Sequence, residues 1–278
     1  MPRAYSTKNH LDPVDMDLHE IRANFADRGM IRLDGAFSAE IAAQIQSSVW
    51  SYAESKAGIR RDERATWPTG TPPIGWKGLD RDPMLEAMAG SPAVRKALDA
   101  IFGAGGWKPP RRGARILFTL PSEGPWTTVN EGWHMDRGFE SPTWPVFAVT
   151  LFAFFGEVGP RGGGTLLLPG SHRVVERYRA GFETPPEAGK HGWLSFMRAN
   201  PPLDELLRDT TLPKLHSGRE VVGKRLDVDG ILVDVVELTG SPGDVVITHM
   251  HLFHSASANT SDAPRQMLRK AVVAAPRV

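Results

Sequence analysis

Apolar residues recur at helical spacing in the N-terminal third of the chain. Leu18, Ile21 and Phe25 fall on one face of a helix. Ser38 precedes a second run of this kind, and its hydroxyl is suited to accept a hydrogen bond from the first free N–H groups of that helix. Residues 60–82 are rich in Pro, Gly and charge, which predicts a loop. The helices are predicted over residues 17–25, 38–49 and 83–102, with a short strand at 30–33.

The pattern changes after Trp107 to short apolar runs separated by Pro and Gly clusters. This pattern is typical of an antiparallel barrel or sandwich. Periodicity is weak from about 172 to 230, which we interpret as an insertion, and insertions of that length in a compact domain are usually functional or mobile. We therefore expect one domain over 1–278, with a mainly helical part (1–106) packed outside a barrel (107–278). The strands are predicted at 114–120, 146–155, 165–168, 233–238, 244–248 and 267–274.

Composition excludes several classes of protein. The 278 residues include 33 basic and 32 acidic side chains, so charge gives no reason to expect nucleic acid or an acidic membrane surface as a partner. Cysteine is absent, which excludes disulfides, Cys-ligated metals and thiol catalysis. The longest apolar run, 146–155, is too short to cross a bilayer, and the N-terminus has no signal-peptide core. These absences predict a cytoplasmic protein; its oligomeric state is not predicted.

The stretch Trp-His-Met-Asp-Arg-Gly at 133–138 is the first candidate for chemistry. On an extended segment residues two apart point to the same face, so His134 and Asp136 can reach one ion. A further histidine from another strand would complete a 2-His-1-carboxylate set, which suits non-haem Fe(II) oxygenases. The alternative is a polar bend between two strands.

The second candidate is the segment 243–265, which offers three more histidines, His249, His251 and His254, followed by Arg265. An iron oxygenase with a keto-acid co-substrate needs a cation for the distal carboxylate, and the planar fork of arginine holds both oxygens. The alternative for Arg265 is a surface position after a proline turn. The residues alone leave the choice among the three histidines open.

Five motifs together resemble the phytanoyl-CoA dioxygenase-like (PhyH) family of Fe(II)/2-oxoglutarate oxygenases. The similarity covers roughly 114–275, with the usual opening of the family near the N-terminus. The motifs are F-A-D-R-G-M-I-R-L-D-G-A-F (25–37), W-H-M-D (133–136), G-G-T-L-L-L-P-G-S-H-R (163–173), S-P-G-D-V-V-I-T-H (241–249) and H-S-A-S-A-N-T-S-D-A-P-R (254–265).

The resemblance implies an all-β core with added helices: a double-stranded β-helix (jelly-roll, cupin-like) barrel flanked by N-terminal helices. It implies Fe(II), 2-oxoglutarate and O2, with ascorbate as a supporting reductant. Family members commonly carry Asn five and Arg eleven residues after the distal histidine ligand, the spacing of His254, Asn259 and Arg265. The resemblance thus implies His134, Asp136 and His254 as the catalytic metal ligands and Arg265 as the 2-oxoglutarate contact. His251 as the ligand would put Arg265 out of register.

Other pocket residues follow less directly. Thr150 is predicted to contact 2-oxoglutarate, although threonine is also common in strands for its β-propensity. Trp133, Arg137 and Trp193 are predicted to line the substrate pocket, with packing as the alternative for the tryptophans. The chain departs from the family at Ala256, where a hydroxyl residue is often found. It departs again before its Pro-Gly-Ser-His turn, where Gly162–Gly164 replaces the frequent Asn-Gly.

The resemblance implies a hydroxylase of a small organic metabolite that releases succinate and CO2. Related halogenases replace the carboxylate ligand with a small residue, so Asp136 favours hydroxylation or another oxidation. Two alternatives stay open. A non-catalytic or sensing barrel would bind metal and turn over nothing, and a cupin-like enzyme without a keto acid would leave Arg265 unexplained.

Overall fold

The chain folds into antiparallel β-sheets with helices packed against them. The computed structural model describes residues 17–79, 83–109, 114–128, 132–184, 190–211 and 221–276. The helices are α1 (Leu18–Arg28), α2 (Ala39–Ala57), α3 (Pro83–Ala89), α4 (Pro92–Phe102), α5 (Ser171–Ala180), α6 (Lys190–Ala199) and α7 (Pro201–Thr211). The strands are β1 (Met30–Leu33), β2 (Arg115–Thr119), β3 (Ala148–Phe154), β4 (Leu166–Leu167), β5 (Arg225–Val228), β6 (Ile231–Asp234), β7 (Val236–Glu237), β8 (Val245–His249), β9 (His254–Ser255) and β10 (Arg265–Val273). None of the helices formed by these residues is both long and apolar enough to span a lipid bilayer.

Polar side chains cap the first two helices, and one of these caps, Ser38, is predicted from the sequence. The Asp17 side chain accepts a hydrogen bond from the backbone N–H of His19, and α1 ends at Gly29 with φ 70°. The Ser38 side chain accepts from the N–H of Ile41 at the start of α2. The described part of the predicted loop 60–82 contains one short 3-10 turn, Arg64–Thr66, and residues 80–82 lie outside the described residues.

The single helix predicted over 83–102 is wrong, because two helices occupy that range. The chain leaves α3 at Ala89, and Ser91 caps α4 by accepting from the N–H of Val94. Pro92 occupies the first turn of α4. Backbone N–H groups there have no partner within the helix, so the N–H that proline lacks costs no helical hydrogen bond. Gly, Ser and Pro in succession thus end one helix and begin another.

Two antiparallel sheets form the core. The larger sheet has the strand order β1-β8-β3-β10-β2, and the smaller has the order β7-β4-β9. Leu268 and Val272 on β10 pack in the apolar core that contains the N-terminal helices. Met267 instead packs with Leu167 of the smaller sheet. Since side chains alternate along a strand, one face of the larger sheet meets the helices and the other meets the smaller sheet.

The segment interpreted as an insertion of weak periodicity, 172–230, contains helices α5, α6 and α7 and strand β5, so much of its described part is regular structure. Parts of it, 185–189 and 212–220, lie outside the described residues. Side chains of these helices pack around Trp133, Phe139 and Phe253 in a separate apolar core. Each helix buries one apolar face, and in α7 Leu203, Leu206 and Leu207 have the spacing of such a face, a signal that the sequence prediction missed.

Two details of the strands also differ from the prediction. The run 233–238 belongs to two strands, β6 and β7, which pair in different sheets. Strand β9 was not predicted, because two residues are too few for an alternating pattern to be recognised. This short strand is the one that carries His254.

Candidate metal centre

His134, Asp136 and His254 come together between the two sheets. The donor atoms of the three side chains all lie within 4.8 Å of one another. His134 and His254 form an isolated β-bridge, in which each backbone N–H donates to the carbonyl of the other at 2.9 Å. This bridge places the two imidazole centroids 4.1 Å apart. Two segments separated by more than a hundred residues are thus held in register by their own backbone.

The two imidazoles are oriented by backbone carbonyls. Nδ1 of His134 donates to the carbonyl of Gly132 at 2.6 Å, and Nδ1 of His254 donates to that of Leu252 at 3.0 Å. Nε2 of each ring is then the nitrogen left for a metal. Burial, together with the nearby His254 and Arg269, lowers the pKa of His134 to about 4, and burial also lowers the pKa of His254. Both rings are neutral at neutral pH, as metal ligation requires.

Both oxygens of the Asp136 carboxylate accept hydrogen bonds. Thr150 donates its hydroxyl to Oδ2 at 2.6 Å, and Arg269 donates to Oδ1. Oδ1 lies 3.6 Å from Nε2 of His254, so this oxygen faces the shared centre. Thr150 therefore orients the carboxylate. Its predicted contact with 2-oxoglutarate stays a prediction.

These residues fit a divalent cation. Adjacent donors of an octahedral ion bound at about 2.1 Å lie roughly 3 Å apart, so the 3.6 Å between His254 and Asp136 needs only a small contraction. Two imidazoles and one carboxylate form the donor set that non-haem Fe(II) uses with open positions opposite. Among the described residues no fourth His, Asp or Glu donor joins the group, so positions remain for other ligands.

Arg265 begins β10 and is buried, with 4% of its surface exposed, so a surface position for this residue is wrong. Its guanidinium donates to the hydroxyl of Thr165 at 2.6 Å. Burial lowers its pKa to about 10, against the opposing influence of Glu237, so Arg265 stays charged at neutral pH. Among the described residues no carboxylate forms a salt bridge with it. Arg265 is therefore a buried cation that contacts a hydroxyl group but, among the described residues, no carboxylate.

Asn259 fixes the turn that leads into Arg265. Its amide nitrogen donates to the carbonyls of Thr119 at 3.1 Å and Ala263 at 2.8 Å. Its amide oxygen accepts from the backbone N–H of Ser261 at 3.1 Å. The spacing of His254, Asn259 and Arg265 therefore has a physical basis, since a buried amide connects the turn to strand β2.

The other buried histidines lie outside the metal group. Each ring bonds a backbone carbonyl through Nε2: His249 to Thr143 at 3.1 Å and His251 to Gly138 at 3.0 Å. His172 bonds the carbonyl of Ala26 at 3.0 Å in the same way. Of the three histidines at 249–254, His254 is the one that joins His134 and Asp136.

The three residues predicted to contact substrate have different surroundings. Trp193 is half-buried, and its ring centroid lies 6.2 Å from that of His134. Trp133 is fully buried in the core beside α5–α7. Arg137 is exposed, with its guanidinium 5.8 Å from the ring centre of Phe147. Of the three, Trp193 lies against the metal group.

Sequence reasoning missed two arginines of the site, Arg269 and Arg115. Arg269 contacts Asp136, and Arg115 is its partner in the β10–β2 register. A signal was present, because Arg269 follows Arg265 by four residues. On a strand that spacing puts both side chains on one face.

The family model for phytanoyl-CoA dioxygenase (PhyH) matches residues 25–267. This chain belongs to the PhyH family. The matched residues include His134, Asp136, His254 and Arg265. No protein with a curated description matches the sequence.

Solved structures resemble this PhyH protein in fold. AviO1 from Streptomyces viridochromogenes Tue57 is 16% identical with a TM-score of 0.54, over 94% of this chain and 98% of AviO1. EctD from S. alaskensis, crystallised with 2-oxoglutarate and 5-hydroxyectoine, is 19% identical with a TM-score of 0.53, over 99% and 81% of the two chains. The epimerase SnoN, in complex with Fe3+, alpha ketoglutarate and nogalamycin RO, is 16% identical with a TM-score of 0.50, over 92% and 83%.

Proposed function

We propose that this PhyH protein is an Fe(II)- and 2-oxoglutarate-dependent oxygenase that hydroxylates a small organic metabolite, with release of succinate and CO2. The observation that carries the proposal is the convergence of His134, Asp136 and His254 within 4.8 Å in a chain that also buries Arg265. The two antiparallel sheets with the ligands between them support assignment of the barrel as a double-stranded β-helix.

Each residue has a separate role in this proposal. His134, Asp136 and His254 hold Fe(II), and Thr150 keeps the carboxylate in its ligating orientation through the 2.6 Å hydrogen bond. Bound Fe(II) with the keto acid supplies the activation of O2 and the redox change that drives oxidation of the substrate. Arg265, oriented by Thr165, pairs with the distal carboxylate of 2-oxoglutarate.

The burial of Arg265 favours a keto-acid enzyme over a cupin-like enzyme that uses none. A buried charge without an opposite charge in contact is destabilising, and proteins keep such groups chiefly where a ligand or function requires them. Glu237 is the nearby acid, but burial raises its pKa, and its Oε2 accepts from the backbone N–H of Arg161 at 2.9 Å. A dicarboxylate co-substrate would give Arg265 a direct anionic partner.

Binding of 2-oxoglutarate tests this proposal. The protein is loaded with Fe(II) without oxygen and titrated calorimetrically with 2-oxoglutarate. We expect Arg265→Gln to weaken the affinity about 10- to 100-fold, because a hydrogen-bonded charge pair is lost. The matched control is Arg64→Gln, an arginine whose side chain is 58% exposed and pairs with the fully exposed Asp262. Equal affinity in both variants would contradict the assignment of Arg265.

Succinate release separates the enzyme from a non-catalytic barrel. With O2, Fe(II), ascorbate and 2-oxoglutarate, we expect the parent protein to form succinate slowly even without its own substrate, and His134→Ala to form none. A protein that binds 2-oxoglutarate through Arg265 and never forms succinate, even with a broad panel of metabolites, would instead be a sensor.

A further inference from the structure

The inner face of β10 carries a second arginine beyond the one assigned to 2-oxoglutarate. Arg265 pairs in register with Thr119 of β2, and Arg269 pairs with Arg115. Four residues along a strand span about 13 Å. The face therefore has two cationic positions: a single arginine at the buried start of β10, and two neighbouring arginines further along the strand.

Arg269 lies between the metal group and solvent. Its guanidinium donates to Oδ1 of Asp136, and 24% of its side chain is exposed. Its Nε is buried and has no hydrogen-bond partner among the described residues. Arg115 is exposed and forms no salt bridge with a described residue. This arginine pair, Arg115 and Arg269, thus has donors available beside the metal group.

The charges around the centre do not balance without a further anion. A divalent metal contributes two positive charges, and Arg265, Arg269 and Arg115 contribute one each. Asp136 and the 2-oxoglutarate dianion together contribute three negative charges, which leaves two positive charges. Glu237 offsets one of them at most, and burial raises its pKa toward the neutral form. Oδ1 of Asp136, which Arg269 contacts, is also the oxygen that lies 3.6 Å from Nε2 of His254, so a metal bound there would compete with Arg269 for it.

We propose that Arg115 and Arg269 form the anion subsite for the substrate, which is a small molecule with a carboxylate or phosphate group. This inference rests on the proposed function and adds the substrate class to it. Guanidinium groups bind both anions through paired N–H donors. Because Arg269 touches a metal ligand, the anionic group lies only a few bonds from the carbon that is oxidised.

The test uses three probes of equal chain length: hexanoate, pentyl phosphate and the neutral hexanamide. Each is titrated calorimetrically into the anaerobic protein already loaded with Fe(II) and 2-oxoglutarate. We expect at least one of the two anions to bind about tenfold or more tightly than hexanamide, as a hydrogen-bonded charge pair contributes on this scale. The better anion distinguishes a carboxylate substrate from a phosphate substrate. An equal response to all three probes would overturn the subsite.

Arg115→Gln is the decisive variant, because Arg115 is exposed and makes no contact with a metal ligand. We expect it to lose the preference for the anion while its affinity for 2-oxoglutarate stays within about twofold of the parent. Arg269→Gln should lose the preference as well, and Arg64→Gln should keep it. A preference that survives in both Arg115→Gln and Arg269→Gln would refute the proposal.

The same samples separate failure of the subsite from failure of the proposed function. If Arg115→Gln weakens 2-oxoglutarate binding in place of probe binding, the pair serves the co-substrate and the subsite is wrong. If the parent binds no 2-oxoglutarate with Fe(II), the proposed function fails first, whatever the probes show.

Discussion

The described residues include two groups of buried histidines, and one of these groups has the composition of a metal site. In the first, His134 and His254 lie beside Asp136. In the second, the ring centroid of His249 lies 5.2 Å from that of His172 and 5.4 Å from that of His251. Burial lowers the pKa of every one of these histidines, so the protonation state does not distinguish the groups.

The difference lies in the carboxylate and in the nitrogens left free. In the metal group, Nδ1 of each ring donates to a backbone carbonyl. Nε2 of each ring is then left to bind a metal together with the Asp136 carboxylate. In the second group Nε2 of each ring bonds a carbonyl, and His249 also accepts the backbone N–H of His251 at its Nδ1, at 3.1 Å. Among the described residues no carboxylate oxygen joins the second group as a third donor type. A metal centre therefore requires converging imidazole nitrogens and a carboxylate. A buried histidine without such partners packs as a core residue.

Removal of one histidine from each group gives the largest expected effect. His134→Ala should weaken Fe(II) or Mn(II) binding by more than 10- to 100-fold. That range is typical for the loss of a group that only orients a ligand, whereas here a ligand itself is lost. His251→Gln should leave metal affinity unchanged, since His251 lies outside the ligand set. Metal titration under anaerobic conditions measures both. Equal losses in the two variants would mean that the second group takes part in metal binding.

Loss of the hydroxyl that orients Asp136 should have a smaller effect. Thr150→Val keeps the shape of the side chain and removes the 2.6 Å hydrogen bond to Oδ2. We expect metal affinity to fall about 10- to 100-fold, as for other partners of ligating groups. Thr150→Ser retains the donor and serves as the control. If valine and serine behave alike, the hydroxyl does not orient the carboxylate, and the predicted 2-oxoglutarate contact of Thr150 would be tested separately by keto-acid titration.

The sequence predicts the fold best where a short stretch of chain carries its own capping residue or apolar pattern. Asp17 and Ser38 cap the helices that follow them, and strand β1 occupies the predicted residues 30–33. The helices of the insertion were missed although their sequence carries a local signal, since Leu203, Leu206 and Leu207 have the spacing of a buried helix face. The predicted strands of the larger sheet agree with the structure to within a few residues at each end.

The site is predictable to the extent that it follows strand geometry. His134 and Asp136 are two residues apart on an extended segment, which is enough to pair them. The choice of His254 over His251 depends on the resemblance to the PhyH family, because both residues are buried and both follow β8. Arg115 comes from a distant strand, and only the pairing of β2 with β10 places it beside Arg269.

The second histidine group should set the acid stability of the fold. Burial lowers the pKa of His172 and His251 to about 4 and that of His249 further below the usual 6.5. Between pH 4 and 6.5 the unfolded chain binds protons that the folded chain does not. The stability that neutral histidines contribute is therefore present above pH 6.5 and is lost as the pH falls toward 4.

Each such proton changes the free energy of unfolding by about 1 kcal/mol per pH unit in this window. We expect His172→Gln to reduce the slope of unfolding free energy against pH by roughly that amount. Urea unfolding of the metal-free protein between pH 4.5 and 6.5 measures the slope, with Arg64→Gln as a control that leaves it unchanged. An unchanged slope in His172→Gln would show that the ring already binds a proton in the folded state. The two histidine groups would then differ in protonation as well as in composition, and the contrast drawn above would need revision.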